Sequence, residues 1–320
     1  MNNDSNNVLV VVDLSAWLYM TVYNAFNSWS KKYKLEFSSM IKPAEETDQD
    51  NIPNLLVSES FKKELKNSTM KKLSSIDWIL KRNCQDVMDI ADEIVIVFAE
   101  DDFVSNNFRR KAFADYKAQR NVAPKSWDYS KAKNYIVNSI FPDLDIYKKN
   151  GYIRIGCPNA EADDVIAVLM TDDSYQWAAK ILISSDHDFC QLENVKQFNV
   201  FGEEVYFWVD KAKGIKLTPE EVVLVKSLAG DGSDGIPQVA SRMGVKTAWK
   251  FCKDRAKLKA FLKENANAAK QYDLNKQLID FKNIPNDLRE AILKVSHEKL
   301  DTFVKELQKS EQVEFDLMEL

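Results

Sequence analysis

The chain of 320 residues contains no C-x-x-C pair, and its four cysteines, Cys84, Cys157, Cys190 and Cys252, stand far apart. That spacing indicates neither a zinc site nor a disulfide framework, so the thiols are expected to be reduced. A clustered histidine motif is missing too. The residues Met1 to Asn7 carry none of the basic side chains of a secretory signal, and the apolar run Val8 to Val12 is too short to cross a bilayer. A cytoplasmic protein with no membrane partner is the expectation. The net charge of −5 argues against a wholly basic nucleic-acid coat, although an average hides local patches. Length and composition leave room for one large domain or two smaller ones.

Carboxylates are what the chain has in clusters. Asn159-Ala160-Glu161-Ala162-Asp163-Asp164 feeds the apolar run Val165 to Leu169. Glu161 and Asp164 are three apart and share a face if the segment is helical, with Asp163 beside them. Such charges repel unless a cation neutralises them, and a helix dipole offsets only part of the cost. A second cluster, Ser184-Ser185-Asp186-His187-Asp188, follows Ile181-Leu182-Ile183. Residues just past a buried strand lie at its carboxyl edge, where open α/β sheets bind ligands. Asp13 ends the β-branched run Val8 to Val12 in the same way, with the N-cap of a helix over Ala16 to Phe26 as its competing role. Glu93 to Phe98 is a further strand, running into Ala99-Glu100-Asp101-Asp102, and Tyr152 to Ile155 is a short one. The pattern predicts an α/β fold with a mostly parallel central sheet flanked by helices.

Between those clusters lies a basic segment with Arg109, Arg110, Lys111, Lys117 and Arg120, then Lys125, Lys131 and Lys133, against the acids Asp115 and Asp128. Cations interleaved with Phe113, Tyr116 and Trp127 suit phosphate contact and stacking on an unpaired base; the alternative is a solvated helix with an aromatic core face. Asn27 to Asn67 reads as a polar surface excursion holding one helix, and Leu65 to Met88 as a packing helix. Val200 to Val209 reads as a hairpin turning near Gly202-Glu203. Thr218-Pro219-Glu220-Glu221 is a helix start of the capping-box type. That helix ends in Gly230-Asp231-Gly232-Ser233-Asp234-Gly235-Ile236-Pro237, and Gly244-Val245-Lys246-Thr247-Ala248 opens another. Glycine amides and a helix start near Lys246 suit a grip on DNA backbone, with a plain turn as the alternative. From Ala256 on the chain reads as charged helix, its tail Gln312 to Leu320 either a frayed end or a docking peptide.

Taken in order, Glu161-Ala162-Asp163-Asp164, Ser185-Asp186-His187-Asp188 and Gly230 to Pro237 resemble the flap endonuclease or 5′-nuclease family, in layout most its ribonuclease H branch in T-even bacteriophages. The resemblance covers about Val8 to Ala248 and implies a PIN-like nuclease core over 1–210, with a basic helical arch at about 104–135. It implies a helical DNA-binding region over 211–320, with a helix-three-turn-helix at about 218–252. Asp13, Glu161, Asp163 and Asp164 would serve a first metal site, and Asp186, Asp188, Asp231 and Asp234 a second or its shell. Tyr116, Lys117 and Arg120 match the family's Tyr-Lys-x-x-Arg. With Arg109 and Arg110 they would position the 5′ end, Lys117 and Arg120 acting on the phosphate. Gly232, Arg242, Gly244, Lys246 and Thr247 would hold duplex backbone. His187 is a bystander or phosphate neighbour.

The chain departs from the pattern twice. Ala99 stands where the family carries an aspartate after the second strand, and counting back from Arg109 favours Asp101 as the substitute. Gln238 to Gly244 replaces a glycine-rich turn, which bears on the potassium ion many relatives bind there. An oxygen-only donor set favours Mg²⁺, with Mn²⁺ able to substitute, and two such ions roughly 4 Å apart would promote in-line hydrolysis. The expected activity is a structure-selective 5′ to 3′ exonuclease and flap endonuclease acting on DNA duplexes and RNA–DNA hybrids and removing replication primers. A monomer is expected, with a sliding clamp or single-strand-binding protein as partner. The competing readings are an inactive or weakened binder of branched DNA with the same fold, suggested by Ala99, and another metal-dependent nuclease or phosphatase.

Overall fold

A computed structural model describes residues 6–42, 52–102, 107–121, 126–144, 152–174 and 176–318, the side chains of 120, 121 and 304–318 excepted. Five parallel strands form the central sheet: β1 (Val8–Asp13), β2 (Ile94–Ala99), β3 (Ile153–Ile155), β4 (Ala179–Ile183) and β5 (Lys196–Phe198). Their order is β3-β2-β1-β4-β5, so the chain builds outward one way from β1 and then crosses to its other side. The reversal falls between β1 and β4, the crevice where such sheets bind ligands. Asp13 at the end of β1 pairs in register with Ala99, and Ser184 directly follows β4.

The β1 run is apolar throughout because both its faces are covered. Val8, Val10 and Val12 point into a core with helices α1 (Leu14–Lys32) and α3 (Glu59–Asn83), which are separated by the short α2 (Lys34–Met40). Leu9 and Val11 point the other way, against α6 (Ala162–Thr171) and α11 (Asn286–Met318). The basic segment holds two short helices, α4 (Phe108–Ala112) and α5 (Tyr129–Tyr135). Helices α7 (Pro219–Ala229), α8 (Val245–Lys253), α9 (Arg255–Glu264) and α10 (Ala266–Ile279) close around a core of their own, with Leu224, Val225, Leu228, Met243 and Ala248. Among the described residues no helix is long and apolar enough to cross a membrane.

Two expectations change here. The excursion after Asn27, of which 43–51 lie outside the described residues, is anchored in the core and not wholly superficial: α1 continues to Lys32, and Trp29, Leu55, Phe61 and Leu65 are buried. Its apolar anchors are few and widely spaced among lysines and serines, so their helical period is diluted. The expected 200–209 hairpin is also split. Gly202 makes a turn at φ 75° beside a Phe198–Glu204 bridge, while Trp208–Asp210 pairs antiparallel with Ile215–Lys216. The Thr218 capping box is present, with Thr218 Oγ1 accepting from the Glu221 amide at 3.4 Å and Glu221 Oε2 from the Thr218 amide at 3.1 Å.

Candidate active site

Asp13 caps α1, accepting from the Ala16 amide at 3.1 Å, and it also accepts from Ser184 Oγ at 3.1 Å. The N-cap role read from its position is therefore present, and the same carboxylate stands at the carboxyl end of β1. Past Ala99 the three acids separate. Glu100 pairs with Arg154 at 3.3 Å, and Asp102 accepts from the Asn159 amide at 2.8 Å. Asp101 alone turns toward the crevice, accepting from Ser15 Oγ and, at 2.8 Å, from the Ala162 amide at the start of α6. It thus links the starts of α1 and α6 and lies close enough to Asp13 to raise its pKa.

Cations divide the remaining carboxylates. Arg109 Nη1 lies 2.7 Å from Asp164 Oδ1 and 3.2 Å from Glu161 Oε2, and its Nε donates to the Leu278 carbonyl at 2.8 Å. Lys117 Nζ reaches Glu161 at 2.8 Å, Asp163 at 3.7 Å and Asp234 at 4.0 Å. Lys226, buried on α7, pairs with Asp188 and, at 2.6 Å, with Asp231. Burial opposes ionisation of Asp231, but Lys226 and Ser233 hold its pKa down at about 2. Glu161 is likewise held below the usual carboxylate range by Lys117 and Arg109 against the effect of burial.

Asp13, Asp101, Asp163 and Asp186 are left as a group in which negative charge is only partly balanced. Burial, together with Asp101 and Asp186, lifts Asp13 to about 6. Burial pushes Asp163 well above the usual range, and Asp186, Glu161 and Asp13 add to it while Lys117 opposes. Among the described residues no three such side chains close on one point as a finished metal cage. The donor set fits a hard divalent cation nonetheless, being oxygen-only, at the sheet's switch point, and destabilised by its own charge. His187 is exposed and its ring packs edge-on against Phe207, 5.8 Å between centroids.

The basic segment folds down onto this centre. Lys117, at φ 56°, donates its amide to the Asp234 carbonyl at 2.8 Å, and Gln119 Nε2 donates to the Gly232 carbonyl at 2.6 Å. Tyr116 is 3% exposed and donates its hydroxyl to Glu161 at 3.0 Å. Trp127 stacks on Phe26 at 4.8 Å inside the core. These rings therefore face the protein, not an unpaired base, and Arg109, 3% exposed, is enclosed instead of presented on an arch. Asp164 is fully enclosed with it. Arg110 is half-buried on α4, and the side chain of Arg120 lies outside the described residues, as does Lys125. At the other end, Gly232, Arg242, Gly244, Lys246 and Thr247 are all exposed; Arg242 adopts φ 64° and Lys246 bonds Asp210 at 3.0 Å. Lys226 escaped the sequence reading because a single lysine within an apolar helix resembles a surface position; its spacing five residues before Asp231 is the signal that could have found it.

A parallel sheet with carboxylates gathered at its switch point and a basic segment docked over them defines an α/β nuclease fold. Residues 59–223, more than half of the chain, match the family described as 5′-3′ exonuclease, N-terminal resolvase-like domain. The chain belongs to the 5′-3′ exonuclease family, a family of metal-dependent nucleases. It is 28% identical to a 5′-3′ exonuclease of Buchnera aphidicola over 257 residues, 78% of this chain and 71% of that one. It is 30% identical to the ribonuclease H of Enterobacteria phage T4 over 220 residues, 62% of this chain and 68% of that one. A bacteriophage T5 protein crystallised with metal ions shares the fold at TM-score 0.54 and 17% identity, over 94% of this chain and 98% of that one. A bacteriophage T5 flap endonuclease in complex with DNA and metal ions matches at TM-score 0.54 and 16% identity, over the same shares.

Proposed function

We propose that the chain is a structure-selective 5′ to 3′ exonuclease and flap endonuclease that hydrolyses phosphodiesters at 5′ ends of DNA duplexes and RNA–DNA hybrids, removing replication primers. The observation that carries this reading is the position of Asp101. It stands beside Asp13 and restores a carboxylate to the edge that Ala99 leaves bare. Asp13, Asp101, Asp163 and Asp186 would hold Mg²⁺ ions, which when bound supply an activated water and neutralise the leaving oxygen. Around them, Lys117 would meet the phosphate and stabilise its extra negative charge, as preorganised cations do. Asp164 and Arg109 act one step back, fixing the first turn of α6 so that Glu161 and Asp163 keep their aim. Lys226 holds Asp188 and Asp231 together, tying the duplex-gripping loop to the end of β4. The exposed Gly232, Arg242, Gly244, Lys246 and Thr247 would follow duplex backbone without reading bases. The complex with DNA seen for the T5 flap endonuclease supports such a substrate.

The test is a 5′-labelled flap and a primed RNA–DNA duplex incubated with the protein and Mg²⁺. Short 5′ products are expected from wild type and none from Asp186→Asn; equal inactivity of both proteins sinks the reading. A binder without turnover would give that second result while retaining salt-sensitive binding to branched DNA.

A further inference from the structure

A groove of about 520 Å³ lies between α1 and α3, away from the carboxylate centre, lined among others by Ser28, Lys32, Asn67, Lys71 and Lys72. The acid in its wall, Glu64, is engaged by Ser28 Oγ at 2.6 Å and Lys32 Nζ at 2.8 Å. Lys72 is only 9% exposed, with its ammonium 5.4 Å over the ring of Phe201, whereas Lys71 is exposed. Helix α3 carries seven Lys and Arg against three Asp and Glu, in a chain whose net charge is −5.

The two rings at the end of this groove are held outward. Phe201 is 61% exposed on a turn stiffened by Asn199 Oδ1, which accepts from the amides of Phe201 at 2.9 Å and Glu203 at 3.0 Å. The turn is pinned to α3: Asn83 Nδ2 donates to the Gly202 carbonyl at 3.0 Å, and any Cβ on Gly202 would stand 2.9 Å from the Trp78 ring. Trp78 is itself 46% exposed, with the Arg82 guanidinium 5.0 Å above it. Lys71, Ser75, Trp78 and Arg82 recur at steps of four, three and four, so groove and ring share one face of α3 over about 16 Å.

We propose that this face of α3 is a path for a single nucleic-acid strand, its phosphates on the exposed Lys71 and Arg82 and its bases on Trp78 and Phe201. Cations tracking a backbone beside exposed flat rings are the combination that grips unpaired strands without reading them. An acidic peptide would use the cations but has no use for two rings kept in water. The inference rests on the nuclease reading only in assigning the strand to the substrate; the binding stands without cleavage.

The experiment uses the full chain without divalent metal and an oligothymidylate carrying bromodeoxyuridine, with ultraviolet crosslinks mapped by mass spectrometry. Crosslinks are expected on the peptides bearing Trp78 and Phe201. The double variant Trp78→Ala/Phe201→Ala should lose about tenfold or more in affinity. Lys71→Ala/Arg82→Ala should flatten the dependence of log affinity on log salt by about 1.4. Phe201→Ser, at an exposed site, serves as the fold-neutral variant, checked by an unchanged unfolding midpoint. Crosslinks confined to 108–121 and 230–253, with affinity untouched in the ring variants, overturn the proposal. So does displacement of the strand by polyglutamate together with indifference to the rings. Absence of flap cleavage alongside these crosslinks would remove the nuclease reading and leave this one.

Discussion

Arg109 and Asp164, from segments far apart in sequence, meet at 2.7 Å with both side chains closed off from solvent. Asp164 also accepts from the Glu161 amide at 3.0 Å, so the pair fixes the first turn of α6 as well as its own charges. Removing one partner of such a pair leaves the other charge buried and uncompensated, at a cost of about 3–5 kcal/mol. Asp164→Asn and Arg109→Met should each lose stability on that scale in urea unfolding, and Arg109→Met/Asp164→Leu should recover much of it. Asp186→Asn, exposed and without a buried partner, should abolish cleavage with little change in unfolding midpoint. A fully stable Asp164→Asn protein would show that the pair is not structural.

Lys117 is expected to act on the reaction, not on binding. It is drawn between Glu161, Asp163 and Asp234 with its backbone in the left-handed region, a conformation that costs of order 1–3 kcal/mol and persists only when the surroundings hold it. Lys117→Met should lower kcat on a flap substrate by about 10²-fold or more, with KM changed far less. Lys117→Arg should restore little, since a planar guanidinium does not fit a point-charge position. Equal losses in kcat and affinity would place Lys117 among the binding groups.

Strands and acid clusters were legible because burial on both faces forces continuous apolar runs, and every such run here ends at the same sheet edge. The substitution of Asp101 for the missing acid at Ala99 was legible only as a count; what selects it over Glu100 and Asp102 is a pair of donors, Ser15 and the Ala162 amide, brought in by other elements. Tyr116 and Trp127 misled for a related reason. A ring among lysines has the same local pattern whether it faces a base or the core, and only the positions of Glu161 and Phe26 decide. Trp29 and Phe61 were hidden by the polar outer faces of the helices that bury them.

Gly230 and Gly232 are two apart yet should behave as opposites. Gly230 has φ 72° and ψ −176°, a region open essentially to glycine alone, and an added Cβ would sit 2.4 Å from the Ile236 carbonyl oxygen. Gly232 has nothing within 4 Å of that position. Gly230→Ala should therefore cost more than about 3 kcal/mol, the upper end for backbone strain before overlap is added. Gly232→Ala should leave the unfolding midpoint in place and weaken duplex DNA binding if the loop meets backbone there. A destabilised Gly232→Ala protein would count against the loop as an open surface.

The charge left unbalanced in the centre predicts a pH dependence of definite sign. Asp13 moves from 3.8 to about 6 on folding, mainly through burial, with Asp101 and Asp186 adding to it. Between those values the folded chain keeps a proton that the unfolded chain has released, so stability falls as pH rises through the window, by roughly 3 kcal/mol in all. Asp231, held at about 2 mainly by Lys226, works the other way: its contribution is present above 3.8 and lost as pH falls toward 2, so the two windows do not overlap. In metal-free protein, Asp13→Asn should flatten the slope between pH 4 and 6 and raise stability at pH 7.5. Mg²⁺ should then stabilise wild type at pH 7.5 and much less at pH 5, where Asp13 is protonated, because a ligand that binds only the folded state raises its stability in proportion to occupancy. Asp13→Asn should lose most of that Mg²⁺ effect. Thermal unfolding at the two pH values, with and without Mg²⁺, separates the outcomes, and an equal Mg²⁺ shift in wild type and Asp13→Asn would place the ion elsewhere.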